Sequence, residues 1–143
     1  MMAMTRDDFL AYAKQHRLAV LASTAADGSP QAAVVGVAVT GDLELIFDTL
    51  NTSRKYANLK RDPRAAFVLG EGAQTLQVQG IAEELTGEAL ARCKPVYFAV
   101  WPDGPARENW RGITYFRVRL TWLRISDYGV EPPRIEEMTL AAT

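Results

Sequence analysis

Six apolar, β-prone runs separated by turn-forming residues leave this chain little choice of architecture. They cover residues 18–24, 31–39, 43–48, 65–69, 75–85 and 115–128. Ala26-Asp27-Gly28-Ser29-Pro30, Gly41-Asp42 and the 70–73 segment supply the turns between the early runs. The intervening helices are short. Thr5 caps a first one, with Asp7 and Asp8 in its first turn, that ends near His16 inside an N-terminal segment of residues 1–17. A second is predicted over residues 52–61, stopping before Pro63, and a third from Thr86 to about Cys93. A loop with Trp101, Pro102, Gly104 and Pro105 follows, and residues 129–143 read as a Pro-rich tail. At 143 residues the chain suits one domain, residues 1–143, with its own core. Many strands and few helices in so small a domain predict a mainly β fold, a closed or half-closed antiparallel barrel in which closure removes exposed strand edges.

The second run departs from the rest. Ala33-Val34-Val35-Gly36-Val37-Ala38-Val39 lacks the polar–apolar alternation of a strand with one wet face. Both of its faces should therefore be covered, one by the core and the other by a ligand or a subunit. Gly36 would let a flat group approach the backbone.

The third run leads into Phe47-Asp48-Thr49-Leu50-Asn51-Thr52-Ser53-Arg54-Lys55, a strand end, a hydroxyl-rich turn and a helix start with two adjacent cations. The first turn of a helix leaves N–H groups unpaired and carries the positive end of the macrodipole, so an anion is stabilised there. Thr49, Thr52 and Ser53 add hydroxyls; Arg54 can grip phosphate bidentately and Lys55 acts as a point charge. A capped, solvated helix start has the same composition, so these residues alone leave both readings open.

Charge narrows the partners. The net charge is −1 and the pI about 5.8, which excludes a whole-molecule field for nucleic acid or an anionic membrane. Yet five of the 16 basic residues, Arg54, Lys55, Lys60, Arg61 and Arg64, crowd one short segment opposed only by Asp62, which suits a small anionic ligand. Cys93 is alone, so no internal disulfide and no two-thiolate zinc site is expected. No apolar run approaches the roughly 18 residues of a membrane span, and the N-terminus lacks a cationic segment followed by an apolar one. A cytoplasmic location is the expectation. His16 is the single histidine and argues against a Ser-His-Asp hydrolase or a histidine metal site. Glu83-Glu84 and Glu136-Glu137 read as solubility charges, and neither a P-loop nor Gly-x-Gly-x-x-Gly is present. Tyr97, Phe98, Trp101, Trp110, Tyr115 and Phe116 crowd one segment and read chiefly as core or subunit packing.

The order and spacing resemble the flavin-binding split β-barrel family that includes pyridoxamine 5′-phosphate oxidase. The marks are Asp-Gly-Ser-Pro at 27–30, the apolar strand at 33–38, and Phe-x-Thr-x-x-x-Ser-Arg-Lys at 47–55. Asn58-Leu59, Asp62-Pro63-Arg64, and a strand reaching Gly80 before Ala82-Glu83 complete them. The resemblance runs from about Leu18 to Asp127 and implies a six-stranded antiparallel split β-barrel that binds FMN. It implies that Arg54 and Lys55 hold the phosphate within a 48–55 corner that includes Asp48 and Ser53. Thr49 would bond the phosphate or ribityl chain, and the backbone of Ala33, Val34, Val35 and Gly36 would line the isoalloxazine ring. Gln77, or Thr75 if the register differs by two, would donate to the ring carbonyls or ribityl group, and Asn58 would brace the phosphate site. It further implies a homodimer with cofactor sites at the subunit interface, the second strand packing on the partner, and a tryptophan from the 101–110 loop able to lid the flavin. Hydride or electron transfer from a reduced nicotinamide or similar donor to a small-molecule acceptor would follow; a non-catalytic flavin, deazaflavin coenzyme or haem binder is the alternative. Ala33 and Ala38 stand where the oxidase carries Arg and Lys, and no Arg-x-His follows Asp127. Pyridoxamine phosphate is therefore not the expected substrate.

Overall fold

The computed structural model describes residues 4–140. In chain order these form α1 (Arg6–Lys14), β1 (Leu18–Thr24), β2 (Pro30–Gly36), β3 (Ala38–Val39), β4 (Glu44–Leu50), α2 (Arg54–Arg61) and β5 (Arg64–Leu69). Then come β6 (Gln74–Glu84), α3 (Gly87–Val100), α4 (Gly104–Arg107), β7 (Ile113–Asp127) and β8 (Arg134–Thr139). One antiparallel sheet runs in the order β2-β1-β5-β6-β7-β4-β3, with β8 also on β7, and curls into a half-barrel. The fold class expected from the sequence is thus the one observed, with eight strands among the described residues in place of six.

The extra strands have local causes. The run predicted over 31–39 breaks at Val37, whose N–H pairs with the Arg17 carbonyl and whose own carbonyl accepts the Trp101 Nε1–H at 3.0 Å. A Cβ on Gly36 would stand 2.6 Å from the Trp101 indole, so the flat group that this glycine admits is a side chain of the same chain. The tail expected at 129–143 carries β8, paired with β7 from Trp122↔Thr139 to Asp127↔Arg134. Its carboxylates are not mere solubility charges: Glu136 pairs with Arg134 at 2.6 Å and accepts the Met4 N–H, and Glu137 reaches Arg124. Glu83 likewise pairs with Arg117 and Arg119, and Glu84 with Lys60 and the Tyr56 hydroxyl. The third helix passes Cys93 and continues through Pro95 to Val100. Burial of Cys93 and Tyr97 beneath it outweighs the hydrogen bond that Pro95 cannot donate.

Strand alternation sorts the apolar residues onto two faces. Inside the curl, Leu45, Phe47, Phe67, Leu76, Val78, Phe116 and Val118 form the main core; Phe47 stacks on Phe116 at 5.4 Å and meets Phe67 edge-on. Outside, Ala38, Ile46 and Tyr115 pack under Leu85, Cys93 and Tyr97, so α3 covers the β3-β4-β7 part of the outer face. The β2-β1-β5-β6 part is bare: Val34 is 67% exposed, Leu18 59% and Val68 43%. Val34, Val20 and Val68 are direct cross-strand partners and form one apolar row. No helix among the described residues is long and apolar enough to cross a membrane.

The Gly36–Trp101 contact is testable by stability. Gly36→Ala should cost about 1–3 kcal/mol through overpacking, measured by urea unfolding. In a Trp101→Ala background the same glycine change should cost close to nothing.

Candidate functional site

The corner between β4 and α2 is built by its hydroxyls. Ser53 caps α2, its Oγ accepting the Tyr56 N–H at 3.2 Å, and the Thr49 hydroxyl lies 2.9 Å from the Ser53 Oγ. Thr49 is buried, and its carbonyl accepts the Thr114 hydroxyl. These hydroxyls therefore hold the turn. The first-turn N–H groups of Arg54 and Lys55 have no backbone acceptor, so the dipole end of α2 stays open.

Of the five clustered cations, three are committed elsewhere. Lys60 pairs with Glu84, and Arg61 donates to the Thr24 carbonyl at 2.6 Å. Arg64 grips Asp62 with two nitrogens, holding that carboxyl down at about 2, chiefly through the Arg64 side-chain bonds. Arg54 and Lys55 have no carboxylate partner in the described residues. Both line a cleft of about 270 Å³ with Leu21 and Ser23 of β1 and Gln31, Ala32 and Ala33 of β2. No carboxylate lines it. Two unpaired cations, open helix N–H groups and small side chains make it suited to an anion with a flat or extended body.

Behind the cleft lies Asn58, one turn after Arg54 and only 5% exposed. Its Nδ2 donates to the Ser23 Oγ at 3.1 Å and the Gln31 Oε1 at 2.8 Å, while its Oδ1 accepts from Arg61 at 3.1 Å. Asn58 thus ties α2 to β1 and β2 and fixes the distance between the cations and the strand wall.

The residues singled out by sequence divide accordingly. Ala33, Arg54 and Lys55 line the cleft, Ser53 and Thr49 shape its corner, and Asn58 braces it. The other five lie elsewhere. Val34 points outward, Val35 is buried in the core, and Gly36 sits under Trp101. Gln77 is exposed on the outer face, beside Val68 and Arg124. Asp48, adjacent to Thr49 on a strand, faces the opposite side, where its carboxylate receives Arg107 at 2.9 Å and the Tyr97 hydroxyl at 3.1 Å. Ser23 and Gln31 join the cleft beyond the residues that the sequence points to. The signal for Gln31 is strand alternation: Gln31, Ala33 and Val35 share one face, so a polar residue there faces the same side as the core. Trp101 is held by Val37 and by the Arg17 guanidinium 4.2 Å over its ring, which favours the packing role; Trp110 is 54% exposed.

The comparisons with known proteins agree with this architecture. The family model described as pyridoxamine 5′-phosphate oxidase matches residues 5–119. Among solved structures, the chain is similar to a heme binding protein from Mycobacterium smegmatis, at TM-score 0.78 and 19% identity, over 91% of this chain and 55% of that one. It is also similar to a conserved hypothetical protein from Mycobacterium tuberculosis, at TM-score 0.75 and 23% identity, over 99% of this chain and 95% of that one. A pyridoxamine 5′-phosphate oxidase-related, FMN binding protein from Nostoc punctiforme matches at TM-score 0.69 and 12% identity, over 99% and 98%. The chain spans between 51% and 58% of the length of three of the proteins it matches. At these identities the likeness is one of fold. No curated protein matches the sequence significantly.

The Asp48 clasp has a pH signature. Burial, then the Asp48 charge, pushes the Tyr97 phenol well above the ordinary tyrosine range. Unfolded tyrosine ionises near pH 10, so the stability from keeping Tyr97 neutral is complete below that pH and is lost as the pH rises above it. Urea midpoints should fall more steeply above about pH 10 in the wild type than in Tyr97→Phe; parallel curves would refute this account.

Proposed function

The chain belongs to the pyridoxamine 5′-phosphate oxidase family, and from that premise we propose that it is an FMN-binding oxidoreductase acting as a homodimer. The observation that carries this reading is the pair of unpaired cations, Arg54 and Lys55, at the open N-terminus of α2 in a cleft without carboxylates. That is the donor set a terminal phosphate requires: a bidentate guanidinium, an ammonium and helix N–H groups. Arg54 and Lys55 would hold the phosphate, and the β2 backbone at Ala32 and Ala33 would border the rest of the ligand. FMN, when bound, supplies hydride and single-electron chemistry between a reduced nicotinamide or similar donor and a small-molecule acceptor. The protein's share is to neutralise the phosphate, orient the ring and exclude water.

The bare row Val34–Val20–Val68 supports association through the outer face, where a second copy would bury it. Gln77 lies on that same side, so its contribution to a flavin would be made at the subunit interface. The solitary, buried Cys93 fits a reducing, cytoplasmic setting.

Haem is the second reading, favoured by the likeness to the Mycobacterium smegmatis heme binding protein. Against it, no histidine, cysteine, methionine or tyrosine lines the cleft, and His16 packs at a tilt against Tyr12 with ring centroids 4.8 Å apart. The cleft residues offer haem iron no axial ligand. A deazaflavin coenzyme would meet the same phosphate corner, and a non-catalytic carrier the same grip.

Absorption spectra after incubation with FMN and gel filtration should show retained flavin bands, with affinity reduced on the order of a hundredfold in Arg54→Ala/Lys55→Ala. A protein that retains no flavin would refute FMN as cofactor, and a Soret band after haem incubation would favour haem. Reduced-nicotinamide oxidation no faster than with free FMN would leave a binding protein. In sedimentation velocity the wild type should run as a dimer and Val20→Arg as a monomer; equal sedimentation of the two would exclude this face as the interface.

A further inference from the structure

The hydrogen bonds behind the cleft fix the polarity of its wall. Arg61 is a donor with no acceptor capacity. Its Nη2 contacts Asn58 Oδ1 at 3.1 Å while also donating to the Thr24 carbonyl at 2.6 Å, so it is anchored independently of Asn58. The Asn58 atom facing Arg61 must therefore be the oxygen, since the opposite amide orientation would set donor against donor. Asn58 Nδ2 then has to donate, and it does so to the Gln31 Oε1 at 2.8 Å and the Ser23 Oγ at 3.1 Å. With its oxygen occupied, Gln31 keeps its Nε2 hydrogens, which bond to no described residue, and Ser23 keeps its hydroxyl hydrogen. Both residues line the cleft beside Arg54 and Lys55.

We propose that Arg61 is a positioning residue that, through Asn58, turns Gln31 and Ser23 into hydrogen-bond donors, so that every polar side chain of the cleft donates. Resting on the anion-binding reading of the cleft, this narrows the ligand class. Besides its phosphate, the ligand presents an acceptor, such as a ring carbonyl or a ribityl oxygen, to Gln31. A ligand offering only N–H groups at that place meets donors with donors and leaves them unpaired on both sides. Gln31 thereby adds a donor inside the cleft, on the other side of the sheet from Gln77.

Two measurements test this. In nitrogen-15 NMR spectra of the ligand-free wild type, the Asn58 side-chain amide should exchange with water slowly and the Gln31 amide at the rate of an exposed one. Arg61→Met should erase the contrast and Arg61→Lys, also donor-only, should keep it. A fast-exchanging Asn58 amide or a protected Gln31 amide would overturn the relay whether or not FMN binds. With FMN as probe, Gln31→Met should weaken binding about tenfold, and Gln31→Glu, which puts an acceptor and a negative charge in the cleft, by more. Equal FMN affinity in Gln31→Met and wild type would overturn the ligand contact. The expected exchange pattern in a protein that binds no FMN would uphold the relay and defeat the FMN reading alone.

Discussion

The ladder along β7 is the constraint on which the other elements depend. Its fifteen residues pair with β6 along most of their length, with β4 through residues 113–119 and with β8 through residues 122–127. A strand that serves three neighbours has to bend, and it does so where the β6 register shifts between Gln79 and Gly80. Only glycine fits there, because a Cβ at residue 80 would collide with the Arg119 carbonyl. The bend curls the sheet around Phe47, Phe67 and Phe116 and brings β4, with the corner that follows it, against the wall formed by β1 and β2.

Much of this was written in local sequence. The strands over residues 18–24 and 65–69, the Thr5 cap and the halt of α2 before Pro63 follow from propensity and turn chemistry, whereas α2 starts at Arg54 after its Ser53 cap and not at residue 52. What sequence could not place depends on distant partners. The break at Val37 is made by Trp101, and β8 exists because β7 offers it an edge. The continuation of α3 through Pro95 is a matter of packing on Tyr115 and Ile46. In the cleft, the Arg54–Lys55 pair was legible because it joins a cap to a helix start. Gln77 lies on the outer face and not in the cleft, a placement that strand alternation alone does not decide. Asp48 turns away from its neighbour Thr49 toward Arg107 and Tyr97, because adjacent residues on a strand face opposite sides.

Charge in the 54–64 segment shows why counting cations misleads. Lys60, Arg61 and Arg64 are spent on Glu84, on Asn58 with the Thr24 carbonyl, and on Asp62. Their role is to hold α2 and the start of β5 in place, so that the two uncommitted cations face the cleft at a fixed distance from β2. Exposed ion pairs of this kind add little stability, and here geometry matters more than energy.

The indole of Trp101 has a topological consequence as well. Its bond to the Val37 carbonyl joins positions 64 residues apart in sequence, a loop comparable to those that the β4–β7 ladder closes from Leu50↔Ile113 to Glu44↔Arg119. The helical lobe formed by α3 and α4 is thus anchored to the sheet by contacts of similar sequence range, through this bond and through Arg107 and Tyr97 on Asp48. Trp101 is one of several latches between the helices and the strands, and the one that also breaks a strand in two.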